Sequence, residues 1–263
     1  MPASCAHSRP APFHGARPLS LGWEDTSTET LLSAVRHALR LLLSGDRALL
    51  DIVWLSLRVS ATAIVFAGLV GIPLGSWLGL RRFVGRRVVV ALLYTGMGFP
   101  PVVVGLFVYL LLSRNGVLGS LGWPWVPRLF TPAAMIIGQV IIATPLIAGF
   151  TMAAVMGVDS NLRLQLVSLG ATSWQATRAV LREARLGVVV SMVAGFGSVI
   201  SEVGAVMLLG GNIEGSTRVM TTAIVLETSK GNFDVALAMG LVLLGLTFAI
   251  NGAVLWLQGK AFD

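Results

Sequence analysis

Five long apolar blocks, separated by short polar segments, dominate the chain. They cover approximately residues 55–80, 88–112, 132–156, 187–209 and 234–257. A bilayer core of about 30 Å requires roughly 20 helical residues, so each block is long enough to cross it. The pattern therefore predicts an all-α integral membrane protein with about five transmembrane helices.

The residues before the first block show two further patterns. Residues 1–27 contain four prolines and no helical or strand periodicity, which predicts a disordered tail. Over residues 28–50, polar and apolar side chains recur at helical spacing, which predicts an amphipathic helix lying along a membrane surface. A helix of a soluble core would have the same pattern at this length. The transmembrane domain is then expected over 51–258, followed by a short carboxy-terminal tail, 259–263.

Two arginine pairs orient the blocks. Arg81-Arg82 and Arg86-Arg87 flank a tight turn between the first two blocks, and the positive-inside rule places that turn in the cytoplasm. Counting spans from it puts residues 157–186 and the carboxy terminus in the cytoplasm, and the amino terminus outside. The net charge of +7 is explained in this way. Because the arginines lie at block ends rather than along one polar face, no nucleic-acid partner is expected.

The chain contains few groups that could perform chemistry inside a membrane. Its one cysteine and all three histidines precede the first block, and no Gly-Lys-Ser/Thr phosphate loop is present. We therefore expect no catalytic residue, no metal site and no cofactor. The absence of a ladder of intramembrane charges also disfavours a gradient-driven transporter. What remains is a passage-forming subunit, not itself an enzyme, that takes its energy from a partner; the alternatives are an autonomous channel or transporter, or a non-transporting adaptor.

Several positions within the blocks suggest bends, close contacts or a pathway. Pro100 and Pro101 each remove a backbone donor in mid-block, which predicts a broken helix lining a passage, with plain curvature as the alternative. Glu202 is the only acid well inside a block, so it has either a pathway or gate role or a buried, hydrogen-bonded structural role. Ser201 and Gly204 beside it favour close helix contacts. Glycines at four-residue spacing in the first block predict close approach of another helix, at Gly71, Gly75 and Gly79.

One internal stretch, residues 161–187, is too polar to span and too regular to be a simple linker. It carries four arginines and breaks once, at Gly170-Ala171, which predicts two short helices hinged at that glycine. Within it, SLGATSWQA at 168–176 resembles the cytoplasmic coupling loop of the permease subunits of binding-protein-dependent ABC importers. That loop begins with an acid and closes with a proline in the family, whereas Leu164 and Glu183 occupy those positions here.

The resemblance extends over most of residues 50–258. IVWLSLRVS, PPVVVG, VLREAR, ISEVGAVMLLGGNI and TTAIVLETSKGNF are similar to the molybdate, sulfate and tungstate branch, and most similar to tungstate-type importers. The resemblance implies a type I ABC importer permease fold in the inner membrane. It also implies a homodimer surrounded by lipid, two copies of a cytoplasmic ATPase and an external substrate-binding protein.

The same resemblance implies a substrate and the residues that bind the ATPase. The substrate would be a tetrahedral oxyanion, tungstate first, with molybdate or sulfate as alternatives. The ATPase-docking residues, within a coupling loop over 157–186, would be Gly170, Ala171, Thr172, Ser173, Trp174 and Arg178. The pathway or gate residues, singled out by their chemistry, are Pro100, Pro101, Ser201, Glu202 and Gly204.

Overall fold

A computed structural model describes residues 47–259, and this range is helical throughout its regular structure. The predicted tail, most of the predicted amphipathic helix and residues 260–263 lie outside the described residues. The helices are α1 (Arg47–Leu80), α2 (Arg86–Met97), α3 (Pro101–Leu112), α4 (Pro132–Met156), α5 (Ser160–Ser168), α6 (Ser173–Glu183), α7 (Arg185–Ile200), α8 (Gly204–Gly210), α9 (Met220–Ser229) and α10 (Phe233–Gly259). The all-α prediction is confirmed.

Three of these helices, α1, α4 and α10, are each long and apolar enough to cross a membrane. Two further pairs pass the same criterion as bent units: α2 meets α3 at 98°, and α6 meets α7 at 69°. Counting each bent pair as one span gives up to five, which is the predicted number. The second pair includes α6, however, which precedes the fourth predicted block, 187–209. Helix α1 has 34 residues and is therefore about 51 Å long, so it extends beyond a perpendicular crossing of the hydrocarbon layer.

The centre of the fold is the parallel pair α1 and α4, joined through the three predicted glycines. A Cβ on Gly71 would lie 3.0 Å from Ile147 Cγ2, and a Cβ on Gly79 would lie 3.0 Å from Val155 Cγ1. At Gly75 the backbone carbonyl of Ala148 lies closer still, so no side chain fits there. The expected close helix approach is confirmed, and it lets the two backbones pack at small-residue distance.

Helix α4 also packs against α2, α7 and α8, which makes it the hub of the bundle. On the α7 side, Thr151 and Ser191 exchange a buried hydrogen bond of 3.1 Å between their hydroxyl oxygens. Ile147 and Val199 pack together in the buried cluster between α1, α4 and α7. A movement of α4 would therefore change its packing contacts with most of the described helices.

The fourth apolar block, 187–209, is interrupted rather than continuous. Helix α7 ends at Ile200 and α8 begins at Gly204. The Ser201 hydroxyl donates back to the carbonyl of Gly197 at 2.8 Å, and the Glu202 carboxylate accepts from the Ala205 amide at 3.0 Å. These side chains form hydrogen bonds with backbone groups near the break, where the regular backbone hydrogen bonds of the helix end.

The segment between the last two apolar blocks, residues 210–233, contains the short helix α9. The amide of Met220 at its start donates to the buried Ser56 hydroxyl of α1 at 2.8 Å. Thr217 and Thr222 are fully buried beside it, and α9 packs along α10. The segment is part of the core, although it is too short to cross a membrane.

Candidate functional site: the exposed hairpin and the helix breaks

Helices α5 and α6 form a hairpin whose hinge lies at Gly170, as predicted. Gly170 has φ +87°, in the left-handed region that glycine adopts without strain. Its amide donates to the carbonyl of Val167 at 3.0 Å, and the amide of Ala171 donates to that of Leu166 at 2.9 Å. This pair of bonds is the Schellman ending of a helix, which explains why α5 stops here.

A capping box starts α6 immediately after the hinge. The Thr172 hydroxyl accepts from the Gln175 amide at 3.3 Å, and the Gln175 side chain accepts from the Thr172 amide at 2.8 Å. Two amides that a helix start leaves without partners are thereby satisfied. The hairpin turn is defined by local bonds of its own, and Ser173 follows as the first residue of α6.

One face of the hairpin is anchored to the transmembrane helices. Ala176 and Val180 of α6 are buried, as is Ala184 directly after it, at the four-residue spacing of one helix face. Val180 and Ala184 cluster with Val155 at the end of α4, and Leu80 at the end of α1 packs against the same cluster. The hairpin is therefore attached to both helices of the central pair.

The opposite face exposes large apolar side chains. Leu169 is 84% exposed and Trp174 is 71% exposed, while Leu164 is 64% exposed. Arg178 and Arg182 lie exposed on α6 nearby, whereas Ala171 is half-buried. A rigid hairpin with an exposed tryptophan and arginines has the composition of a protein-binding surface. Of the predicted docking residues, Ala171 is the one the fold partly covers.

The two prolines form the elbow between α2 and α3. Pro100 precedes α3 and Pro101 is its first residue, a position where the missing amide costs no hydrogen bond. The predicted broken helix is confirmed, with a bend of 98°. A cavity of about 370 Å³ lies at the elbow and is lined also by Pro145 of α4 and Ser198 of α7.

Glu202 lies within the break between α7 and α8. Its side chain is buried, and its backbone carbonyl accepts from the Thr221 hydroxyl of α9 at 2.9 Å. With the carboxylate bound to the Ala205 amide, Glu202 connects α7, α8 and α9. This geometry is compatible with both the gate role and the structural role expected from the sequence.

The five predicted pathway residues do not share one cavity. Pro100 and Pro101 line the elbow cavity, whereas Glu202 lines a separate buried one. Ser201 is exposed. Gly204 packs so closely against Val102 of α3 that no Cβ fits, which gives it a packing function between α3 and α8.

The residues around Glu202 form a buried polar cluster that the sequence analysis did not identify. A cavity of about 10 Å³, roughly the space of one water molecule, is lined by Glu202, Ser56, Ser60, Gln139 and Thr221. The Gln139 amide nitrogen donates to the Val199 carbonyl at 3.0 Å, while its oxygen has no partner within the described residues. A glutamine in the middle of an apolar block was the signal that could have indicated this cluster.

The hairpin and the helix breaks differ in the chemistry of their side chains. Among residues 47–259, no group of three or more His, Cys, Asp or Glu side chains could hold a metal ion. The elbow cavity is lined by apolar residues, glycine, proline and one serine. The fold and the site together define a membrane-spanning protein with an exposed hairpin.

Known proteins are similar to this chain in sequence and in fold. The family described as "Binding-protein-dependent transport system inner membrane component" matches residues 71–262. A tungstate uptake system permease protein of Peptoclostridium acidaminophilum is 40% identical over 88% of this chain and 99% of its own length. A probable anion ABC transporter permease protein of Haloferax volcanii is 43% identical over 77% of this chain and 88% of its own. A bacterial alginate ABC transporter crystallised with its alginate-loaded periplasmic protein superposes with a TM-score of 0.67 at 21% identity, covering 88% of this chain and 87% of the transporter chain.

The chain therefore belongs to the family of binding-protein-dependent transport system inner membrane components. It is a multi-pass inner membrane protein with the permease fold of ABC importers. The fold class and the family resemblance predicted from the sequence are both confirmed.

Proposed function

We propose that this chain is the passage-forming subunit of an ATP-driven importer for a tetrahedral oxyanion, and that the oxyanion is tungstate. Extensive similarity to a tungstate uptake permease supports the substrate, since that relative is matched over 99% of its length. The observation that carries the mechanism is the α5–α6 hairpin, which exposes Trp174 on one face and is anchored to α1 and α4 on the other. Molybdate and sulfate are the alternative substrates of the same branch.

The hairpin is the surface that a cytoplasmic ATPase would bind. Trp174 and Leu169 would enter an apolar groove, and Arg178 would face acidic side chains of the ATPase. This assignment places the hairpin and the carboxy terminus in the cytoplasm and the amino terminus outside. Two copies of the chain would form the membrane part, each bound to one ATPase, with an external substrate-binding protein delivering the anion.

The passage would run beside the elbow at Pro100 and Pro101, with Glu202, Ser201 and Gly204 near its gate. The side chains lining the elbow cavity include no lysine, arginine or histidine, so this cavity offers no strong anion site. A pathway must bind its ion weakly enough to release it. We therefore assign the choice of anion chiefly to the external binding protein.

Reconstitution tests the function directly. The chain is placed in proteoliposomes with its ATPase and binding protein, and tungstate uptake is followed with and without ATP, with molybdate and sulfate as competitors. ATP-dependent uptake inhibited least by sulfate is expected. Uptake without the ATPase or ATP would identify an autonomous transporter, and ATPase binding without any uptake would identify an adaptor.

The docking assignment has its own test in Gly170→Asp. Aspartate at φ +87° strains the hinge and adds a negative charge beside Trp174, so we expect normal membrane insertion, loss of co-purification with the ATPase and at least a tenfold fall in uptake. Gly215→Asp is the matched control, because Gly215 also has a positive φ, of +70°, and open space around it. Wild-type co-purification and uptake in the Gly170 variant would refute the docking assignment.

A further inference from the structure

A third cavity, distinct from the elbow cavity and from the one beside Glu202, lies at the arginine-rich end of the bundle. Its volume is about 600 Å³, and it is enclosed by the α1–α2 turn, the end of α4, α5 and α6. Three arginines from two separate segments line it: Arg82 and Arg86 from the turn, and Arg163 from α5. Asp159 is the one acid among its lining residues, so the cavity has a net positive charge.

The arginines of this cavity are not neutralised within the fold. In the described range, ion pairs within 4.0 Å join only Arg218 to Glu214 and Lys230 to Glu227. Asp159 is engaged elsewhere, because its carboxylate accepts from the Asn161 amide at 2.9 Å and caps α5. The Nε atom of Arg163 is buried without a hydrogen-bond partner among the described residues. A buried guanidinium nitrogen without an acceptor favours an acceptor brought by a ligand.

Arg86 is held in place for such a ligand. Its Nε donates to the carbonyl of Leu78 at 2.9 Å and one terminal nitrogen lies 3.4 Å from the Met156 sulfur. The guanidinium is thus fixed between the ends of α1 and α4, and its remaining donors are available. Fixed arginines lose less conformational freedom on binding a phosphate than mobile ones do.

Apart from Asp159, the rest of the lining is apolar, and the cavity lies at the carboxy-terminal ends of α1 and α4. Leu80, Met156 and Leu164 line the cavity beside the arginines. Trp77, one turn before the end of α1, is 46% exposed and packs against Phe83 with ring centroids 4.5 Å apart, as expected for an aromatic residue at a membrane interface. A ligand with a phosphate group and an adjoining hydrocarbon portion matches both parts of this lining.

From this geometry we infer that the cavity between the arginine turn and the α5–α6 hairpin binds the headgroup of an anionic phospholipid. The phosphate lies between Arg82, Arg86 and Arg163, and the glycerol and upper acyl chain lie along Leu80 and Met156. Basic pockets between transmembrane helices bind anionic lipids in this manner. Because α6 forms one wall, a bound lipid also braces the hairpin against α1 and α4.

The test uses the purified full-length chain in detergent, titrated with phosphatidylglycerol or phosphatidylcholine while retained lipid is counted by native mass spectrometry. We expect phosphatidylglycerol to be retained and to raise the unfolding midpoint, and phosphatidylcholine to do neither. Arg82→Gln and Arg163→Gln should each weaken phosphatidylglycerol binding about fivefold, and Arg82→Lys should restore most of it. Arg81→Gln is the control, since Arg81 lies in the same turn but does not line the cavity.

Two results would overturn the inference. Equal losses in Arg81→Gln and Arg82→Gln would show a diffuse charge effect rather than a site. Protection by inorganic phosphate or tungstate alone, at the same concentration and with no further gain from phosphatidylglycerol, would show that the cavity binds a free oxyanion instead. Neither result depends on tungstate transport, so the inference can fail while the proposed function stands.

Discussion

At the scale of single residues, Glu202 has two separable properties: its hydrogen bonds and its charge. The carboxylate accepts from the Ala205 amide, and the backbone carbonyl accepts from Thr221. A glutamine retains a carbonyl oxygen that can accept from Ala205, while it removes the charge. An alanine removes both, so the two substitutions distinguish a gate from a structural support.

We therefore expect Glu202→Gln to keep wild-type thermal stability and to lower oxyanion uptake several-fold. Glu202→Ala should also lose about 1–3 kcal/mol of stability, because the buried Ala205 amide loses its acceptor. Thermal unfolding and oxyanion uptake, measured on both variants, distinguish the gate role of Glu202 from the structural role. Unchanged uptake in Glu202→Gln, with only stability reduced, would show that the role is structural and not that of a gate.

A second carboxylate, Glu227, lies at the end of α9 outside the spanning helices. It accepts from Asn232 Nδ2 at 2.8 Å and from Lys230 Nζ at 2.7 Å, and these bonds hold the pKa of Glu227 below its usual range. A lowered folded-state pKa means that the stabilisation is present above the usual carboxyl pKa and is lost as pH falls through the lowered value.

The wild type should therefore unfold at a higher temperature than Glu227→Gln at neutral pH, and this difference should disappear as the pH falls through the lowered pKa of Glu227. Unfolding midpoints of the two proteins, measured side by side between pH 7 and pH 3, provide the comparison. A constant difference across that range would contradict the assigned hydrogen bonds.

At the scale of helices, the α1–α4 pair depends on glycines whose positions leave no room for a methyl group. A Cβ on Gly75 would meet the Ala148 carbonyl oxygen and, at 2.9 Å, the Thr151 Cβ. Because the nearest of these atoms belongs to backbone, relief requires the helices to separate. Overpacking of this kind costs about 1–3 kcal/mol.

Gly75→Ala is accordingly expected to destabilise the protein by about that amount, although alanine is the better helix former. Gly245→Ala in α10 is the matched control, because nothing lies within 4 Å of a Cβ added there. It should be neutral or slightly stabilising, by up to about 1 kcal/mol. Equal unfolding midpoints for the two variants would contradict the close packing of α1 on α4.

The same helices show what a sequence pattern can and cannot predict. The apolar blocks, the glycine spacing in α1 and the break at Pro100 were predictable, because length, periodicity and a missing amide are local properties. Helix α9 and the break before Gly204 were not, because they depend on distant partners such as Ser56 for the Met220 amide. The polar cluster around Gln139 is likewise assembled from α1, α4, α7 and α9, and no single segment contains its pattern.

At the scale of the whole molecule, the proposed docking hairpin is connected to the elbow cavity through the central helices. Val180 packs against Val155 at the end of α4. Helix α4 in turn packs on α1, α2, α7 and α8, and its Pro145 lines the elbow cavity. A rigid displacement of the hairpin can therefore reach the elbow through one helix, as alternating access requires.

Weakening the contact between Val180 and Val155 should uncouple ATP hydrolysis from transport without releasing the ATPase from the hairpin. Val180→Ala removes buried methyl groups between the hairpin and α4, at a cost of roughly 1–2 kcal/mol. Since Trp174 and the hinge are untouched, we expect the ATPase to co-purify and hydrolyse ATP normally while each transported oxyanion consumes several times more ATP. Val242→Ala, a similarly buried valine in the cluster between α9 and α10, is the control for a cavity placed elsewhere. If both variants lower uptake and ATP hydrolysis in proportion, the lost packing acts through stability alone, and the hairpin does not transmit its motion through Val180. A larger amount of ATP consumed per transported oxyanion in Val180→Ala alone would show that the motion is transmitted at this contact.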